Sequence, residues 1–130
     1  MTPTKTPIGT AWVDEHGMLW HRLDFGARVS GDLAERTTEV LADLLEGRKA
    51  PAIVDIGELQ FADKDAREIF AGLGANAPET ATAILVRPGE NPASGIHAYL
   101  FSTMKLDRPV AIFESETEAV TWAKGFLPGA

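Results

Sequence analysis

The chain has 130 residues, the usual size of one domain, and its 45% of hydrophobic residues is enough for an ordinary core. Its net charge of −7 disfavours nucleic acid as a partner, because phosphate backbones are also negative. Cysteine is absent, which excludes disulfides, thiolate metal sites and a cysteine nucleophile.

A β-hairpin is the first predicted element, after a loose terminus over residues 1–9. Its strands cover residues 10–14 and 18–25, and Gly17 supplies the positive φ that a tight turn needs. A turn with an even number of residues would place Trp12 on the core face. The other face would leave apolar side chains partly exposed, and these are our interface candidates: Val13, Met18 and Trp20. Such a face is either covered by the chain's own terminus or is the contact of a weak dimer.

The rest of the chain alternates between helices and strands. A helix is predicted over residues 30–46, where Asp32 and Glu35 can form a capping box and Gly47 is a natural stop. The later strands are predicted over residues 52–56, 81–87 and 109–113. The later helices begin at Asp63, at Asn91 before Pro92, and at Ser115, where Glu118 completes a second capping box.

This order, ββαβαβαβα, predicts a single α/β domain over residues 1–130, with residues 128–130 as a second loose terminus. We expect a five-stranded mixed sheet that is parallel except for one antiparallel edge strand of the hairpin, together with four main helices. The expected core draws on every helix and strand after the hairpin except the final helix: Leu41, Leu44, Ile53, Val54, Ile56, Ile69, Phe70, Ile84, Val86, Leu100, Ile112 and Phe113.

The loop over residues 57–67 is the most polar of those at the carboxyl ends of the predicted strands, where sites of open α/β sheets gather. Asp63 can cap the following helix, and Asp65 lies in its first turn, where a carboxylate is favourable. Either these carboxylates only stabilise the helix, or they form a surface for a partner together with Lys64 and Arg67.

A generic anion site is the alternative, because Arg87 and Asn91 flank the start of a predicted helix. This site would make the chain a small-ligand-binding domain. The three histidines lack partners at metal-binding spacing, and no HExxH motif, nucleophile elbow or dinucleotide loop is present. We therefore expect no catalytic residue, no metal and no cofactor. The chain has no apolar run of ~18 residues and no signal-like start, so we expect a cytoplasmic domain without membrane insertion.

The same loop carries a resemblance to a known protein family. The stretch Val54-Asp55-Ile56-Gly57, followed by Phe61-Ala62-Asp63-Lys64-Asp65-Ala66, resembles the signature of anti-sigma-factor antagonists of the STAS (SpoIIAA-like) superfamily. In that family, an Asp-Ser-Ser/Thr-Gly turn begins a helix, and a partner kinase phosphorylates its second hydroxyl residue. An uncharacterised bacterial group of SpoIIAA-like proteins is more similar, through Asp65-Ala66-Arg67-Glu68 and through residues 83–86, 96–101 and 113–122. The resemblance implies a SpoIIAA-like fold and a non-enzymatic regulatory module that binds a protein through residues 57–67.

This sequence departs from the family signature at the residue that is phosphorylated. Asp65 stands at the position of the phosphorylated hydroxyl, Lys64 at that of its neighbour and Ala66 at that of the glycine. No serine or threonine lies between Gly57 and Glu79. Asp65 carries one fixed negative charge, so the loop should bind constitutively or not at all, rather than switch.

Overall fold

A mixed six-stranded sheet forms the centre of the molecule. The computed structural model describes residues 2–57, 59–70, 79–87 and 108–129, without the side chains of Arg67 and Phe70. The strands in these residues are β1 (Thr4–Thr6), β2 (Gly9–Val13), β3 (Leu19–Leu23), β4 (Ala27–Val29), β5 (Ala50–Asp55), β6 (Leu59–Ala62), β7 (Glu79–Leu85) and β8 (Val110–Phe113). The helices are α1 (Gly31–Leu44), α2 (Lys64–Phe70) and α3 (Glu116–Lys124).

The main sheet has the order β1-β2-β3-β5-β7-β8. Strand β2 runs antiparallel to β1 and β3, and the other neighbours are parallel. The predicted mixed α/β sheet with an antiparallel hairpin is therefore confirmed, but the count of five strands in a single sheet is wrong. Residues 4–6 are not loose, since they form the edge strand β1. In addition, β4 and β6 pair in a separate two-stranded sheet. The helix predicted from Asn91, the third of the four, lies outside the described residues.

Helices cover the main sheet from both sides. Ala34 and Leu41 of α1 and Ala66 of α2 pack against Val54 and Ile84 of the sheet in the larger core cluster. On the other face, α3 packs Ala119 and Ala123 against Ile53, Ala83 and Met18. These alanines let α3 approach the sheet closely. Because helices lie on both faces of the sheet, the domain has three layers. No helix in the described part of the chain is long and apolar enough to cross a membrane.

Most of the predicted core is confirmed where the side chains are described. Leu41, Ile53, Val54, Ile56 and Ile84 are buried, and the partly buried members of the prediction pack against the two core clusters: Leu44, Ile69, Val86 and Phe113. Ile112 was predicted wrongly, because it is 43% exposed. It lies on the edge strand β8, where successive side chains point to opposite faces. The adjacent Phe113 points to the α3 side, so Ile112 points away from it. Leu100 and the Phe70 side chain lie outside the description.

The hairpin register differs from the prediction by one residue. Asp14 Oδ1 accepts hydrogen bonds from the N–H groups of His16 and Met18, which closes a turn of three residues rather than two or four. Trp12 therefore lies opposite Trp20 and stacks on it, with ring centroids 5.7 Å apart. The predicted face is wrong in one member: Trp20 and Met18 share a face, on which Trp20 is partly exposed, but Val13 does not lie on it. Val13 packs against the larger core cluster on the opposite face, and Met18 is 0% exposed beneath α3.

The helix caps agree with the sequence at two of three positions. The Asp63 carboxylate accepts a hydrogen bond from the Ala66 N–H at 2.8 Å, and Ser115 Oγ accepts one from the Glu118 N–H. At α1 the cap is Ser30, whose hydroxyl accepts from the Leu33 N–H, and not Asp32 as predicted. Asp32 lies in the first turn instead, where its charge is still favourable.

Candidate functional site

The small sheet brings the starts of α1 and α2 together. Val29 at the end of β4 pairs with Ala62 at the end of β6, and each strand leads into one of the two helices. Gly31 makes the contact possible, since a Cβ atom there would lie 2.7 Å from the Cβ of Asp65. The two helix starts therefore meet side by side at Gly31 and Asp65.

An open cleft of about 610 Å³ lies at this junction. We call it the acidic cleft, and its lining consists of Ser30, Gly31, Asp32, Glu35, Asp63, Asp65, Glu68 and Ile69. Five of these eight residues are acidic, and both helices contribute to them. Arg36 pairs with Asp32 at 3.2 Å and Lys64 with Glu68 at 3.9 Å, but all four side chains are exposed. Since exposed ion pairs are weak, the cleft remains a surface that attracts positive charge.

The acidic cleft contains two of the predicted site residues. Asp63 and Asp65 line it, and Asp65 is exposed. Lys64 is exposed and paired with Glu68, while Arg67 lies in α2 with its side chain outside the description. Sequence reasoning missed the half of the lining that comes from α1: Ser30, Gly31, Asp32 and Glu35. The pattern Asp32…Glu35 was noticed, but only as a capping box.

The acidic cleft shows no arrangement suited to a metal ion. Within the described residues, no group of three or more histidine, aspartate or glutamate side chains could hold one. The carboxylates are spread over an open surface rather than directed at one point. What this geometry offers chemically is a diffuse negative potential at two helix starts.

The predicted anion site at Arg87 and Asn91 stays a prediction, because only Arg87 lies in the described residues. Arg87 Nε donates a hydrogen bond to the Gly57 carbonyl at 3.2 Å, and Asp55 Oδ1 accepts one from the Gly57 N–H at 3.0 Å. Arg87 thus helps to hold the loop after β5. Its predicted companion Asn91 lies outside the described residues, so the structure does not place the two together.

Two buried titratable groups lie elsewhere in the sheet. Burial lowers the pKa of His21 to about 4, while the nearby Asp24 opposes the shift. The ring lies 3.0 Å from the Thr6 hydroxyl and so connects β3 to β1 across β2. Burial raises the pKa of Glu79, although Arg108 at 4.0 Å opposes this. Neither group lines the acidic cleft, and we assign both to the stability of the fold.

Fold and topology together define a SpoIIAA-like α/β domain, as the sequence predicted. A solved structure supports this class directly: an uncharacterised protein of the DUF3478 family with a SpoIIAA-like fold, from Shewanella loihica PV-4. The two superpose with a TM-score of 0.58 at 20% sequence identity, over 94% of this chain and 90% of that chain. A family model described as a domain of unknown function, DUF7793, matches residues 11–127, so the chain belongs to that family. A search of curated proteins found no match.

Proposed function

We propose that this domain is a non-enzymatic regulatory module that binds a basic segment of a protein partner in the acidic cleft. The observation that carries the proposal is the convergence of five acidic side chains from two helices on one open surface. Opposite charge on a partner would speed encounter and fix its orientation, while the open shape suits a protein surface better than an enclosed metabolite.

Asp65 connects this proposal to the family resemblance. In anti-sigma-factor antagonists, the residue at this helix start carries the phosphate that breaks the partner complex. Here Asp65 is exposed in the first turn of α2 and lines the acidic cleft. Its negative charge is permanent and smaller than that of a phosphate. We infer that the partner of this domain binds a surface whose charge is fixed, and that control comes from elsewhere.

The alternative is that these carboxylates only stabilise the helix starts. Asp63 caps α2, but Glu35 and Glu68 lie beyond the first residues of their helices and have no capping role. These two glutamates therefore separate the two interpretations. Neutralising both should weaken partner binding and leave helix stability almost unchanged.

The test is affinity capture from the native lysate with a matched control. We would compare the wild type, Glu35→Gln/Glu68→Gln, and Glu39→Gln/Glu46→Gln. The last variant removes two exposed charges from outside the acidic cleft. Proteins captured by the wild type should be retained by the control and lost by the cleft variant, and capture should fall as salt is raised. Equal capture by all three proteins, at matched folded concentration, would refute the proposal.

A further inference from the structure

Among the residues that the structure describes, a helix covers one face of the main sheet over only half of its width. Helix α3 packs on β5, β7 and β8. Along β1–β3 the same face carries Trp12 and Trp20, both partly exposed, and Arg22, which is exposed. Arg22 lies over the Trp12 ring, 5.5 Å from its centroid, so a flat stack of side chains replaces a covering helix here.

A phenylalanine stands beside this stack in an unusual position. Phe25 is 90% exposed, which is costly for so large an apolar side chain. It occupies the second position of a turn that is closed by a hydrogen bond from the Ala27 N–H to the Asp24 carbonyl. Gly26 has a φ of +71°, which stabilises the turn. The turn thus fixes the backbone at Phe25, whose ring is exposed to solvent.

A cavity of about 560 Å³ lies directly next to the Phe25 ring. It is lined by Pro3, Thr10, Trp12, Arg22, Leu23, Asp24 and Phe25. The patch therefore contains an apolar projection beside a recess that both apolar and polar side chains line. In a two-fold symmetric interface the same patch of both copies must fit itself. A two-fold axis through this patch can place the Phe25 ring of each copy in the recess of the other.

The charges of the patch satisfy the same symmetry. Lys5 and Arg22 are positive and Asp24 is negative, and all three are exposed. Within the chain, Lys5 pairs with Asp24 at 3.9 Å and Arg22 with Asp55 at 3.3 Å, but ion pairs between exposed side chains are weak and can exchange partners. A two-fold axis can place the cations of one copy against Asp24 of the other. A strongly charged foreign partner would meet like charge somewhere on this patch, whereas a second copy need not.

We propose that two copies of this chain form a symmetric dimer through the β1–β3 face, with Phe25 of each copy inserted in the recess of the other. The three short strands span only roughly 10 Å by 17 Å, which is smaller than a standard interface, so we expect dissociation in the micromolar range. Ion pairs between exposed side chains contribute little, whereas each chain carries a net charge of −7. Long-range repulsion is therefore the larger charge effect, and salt should strengthen the dimer.

Sedimentation of the full chain from about 5 to 500 μM, at low and high salt, tests this proposal. Phe25→Ser removes an exposed ring and should leave folding intact. It should raise the dissociation constant on the order of 100-fold or more, because two buried rings are lost per dimer. Phe61→Ser is the control, since Phe61 is also an exposed phenylalanine, at 42%, but lies in β6.

The expected result is a monomer–dimer equilibrium that salt strengthens, that Phe25→Ser weakens and that Phe61→Ser leaves unchanged. A wild type that stays monomeric over the whole range would overturn the proposal, as would equal effects of the two substitutions. Species larger than a dimer that grow with concentration would also overturn it, because a two-fold interface closes on itself.

Discussion

Protonation of His21 is expected to destabilise the fold as the pH falls below neutrality. The residue is 3% exposed, and burial lowers the pKa of His21 from 6.5 to about 4. The unfolded chain therefore gains the proton near pH 6.5, whereas the folded chain gains it only near pH 4. The contribution to stability is complete above pH 6.5 and is lost between pH 6.5 and 4, at about 1.4 kcal/mol per pH unit and about 3 kcal/mol in all.

Urea unfolding from about pH 7.5 to pH 4 measures this loss in the wild type, His21→Gln and His16→Gln. Glutamine gains no proton in this range, so His21→Gln should flatten the pH dependence by the predicted amount. His16 is exposed, and replacing it should have no such effect. Glu79, whose pKa burial raises, acts in the opposite direction but is common to all three proteins and cancels in the comparison. The same pH dependence in the wild type and His21→Gln would refute the inference of a buried neutral ring.

Four further substitutions test the packing and the acidic cleft. Met18→Ala should lower the free energy of unfolding by about 2–5 kcal/mol, because Met18 is 0% exposed; a loss below 1 kcal/mol in urea unfolding would contradict its place beneath α3. Ser30→Ala should lower it by about 1 kcal/mol through the lost cap of α1; an unchanged free energy of unfolding would contradict that cap. Gly31→Ala should lower it by about 1–3 kcal/mol despite better helix propensity, since the new methyl would overlap Asp65; an increase in melting temperature would argue against that contact. Asp65→Ser should cost only about 0.3–1 kcal/mol, yet change partner capture by much more; unchanged capture would limit Asp65 to a structural role.

The alternating order of strands and helices could be predicted because it rests on long periodic patterns. Helix α1 has apolar residues at helical spacing over four turns, β5 is apolar up to its final Asp55, and β7 ends in the apolar run Ala83–Leu85. Local sequence and tertiary packing therefore agree there. The cap of α2 at Asp63 was equally visible, since it depends only on residues close in the chain.

The errors of the sequence-based prediction concern features that depend on residues distant in the chain, or on whether a turn has an odd or an even number of residues. Strands β1, β4 and β6 have only three or four residues each, and they become strands because of the partner they pair with. Trp12 and Val13 lie on the faces opposite to those predicted, because a turn of three residues replaced an even one. One residue of register exchanges the faces of one strand relative to the other. Neither effect leaves a local pattern in the sequence.

One half of the acidic cleft could be predicted from the local sequence, and the other half could not. Its α2 half was predictable, because the polar loop and the capping Asp63 are contiguous in the sequence. Its α1 half depends on the pairing of β4 with β6, which no pattern in the sequence predicted. Gly31 is the link between them, since only a residue without a side chain allows Asp65 to approach α1 so closely. The position that resembles a phosphorylation site is therefore one part of a surface formed by two helices. The proposed function therefore predicts that Glu35, which lines the acidic cleft from α1, matters to partner binding as much as Asp65 does.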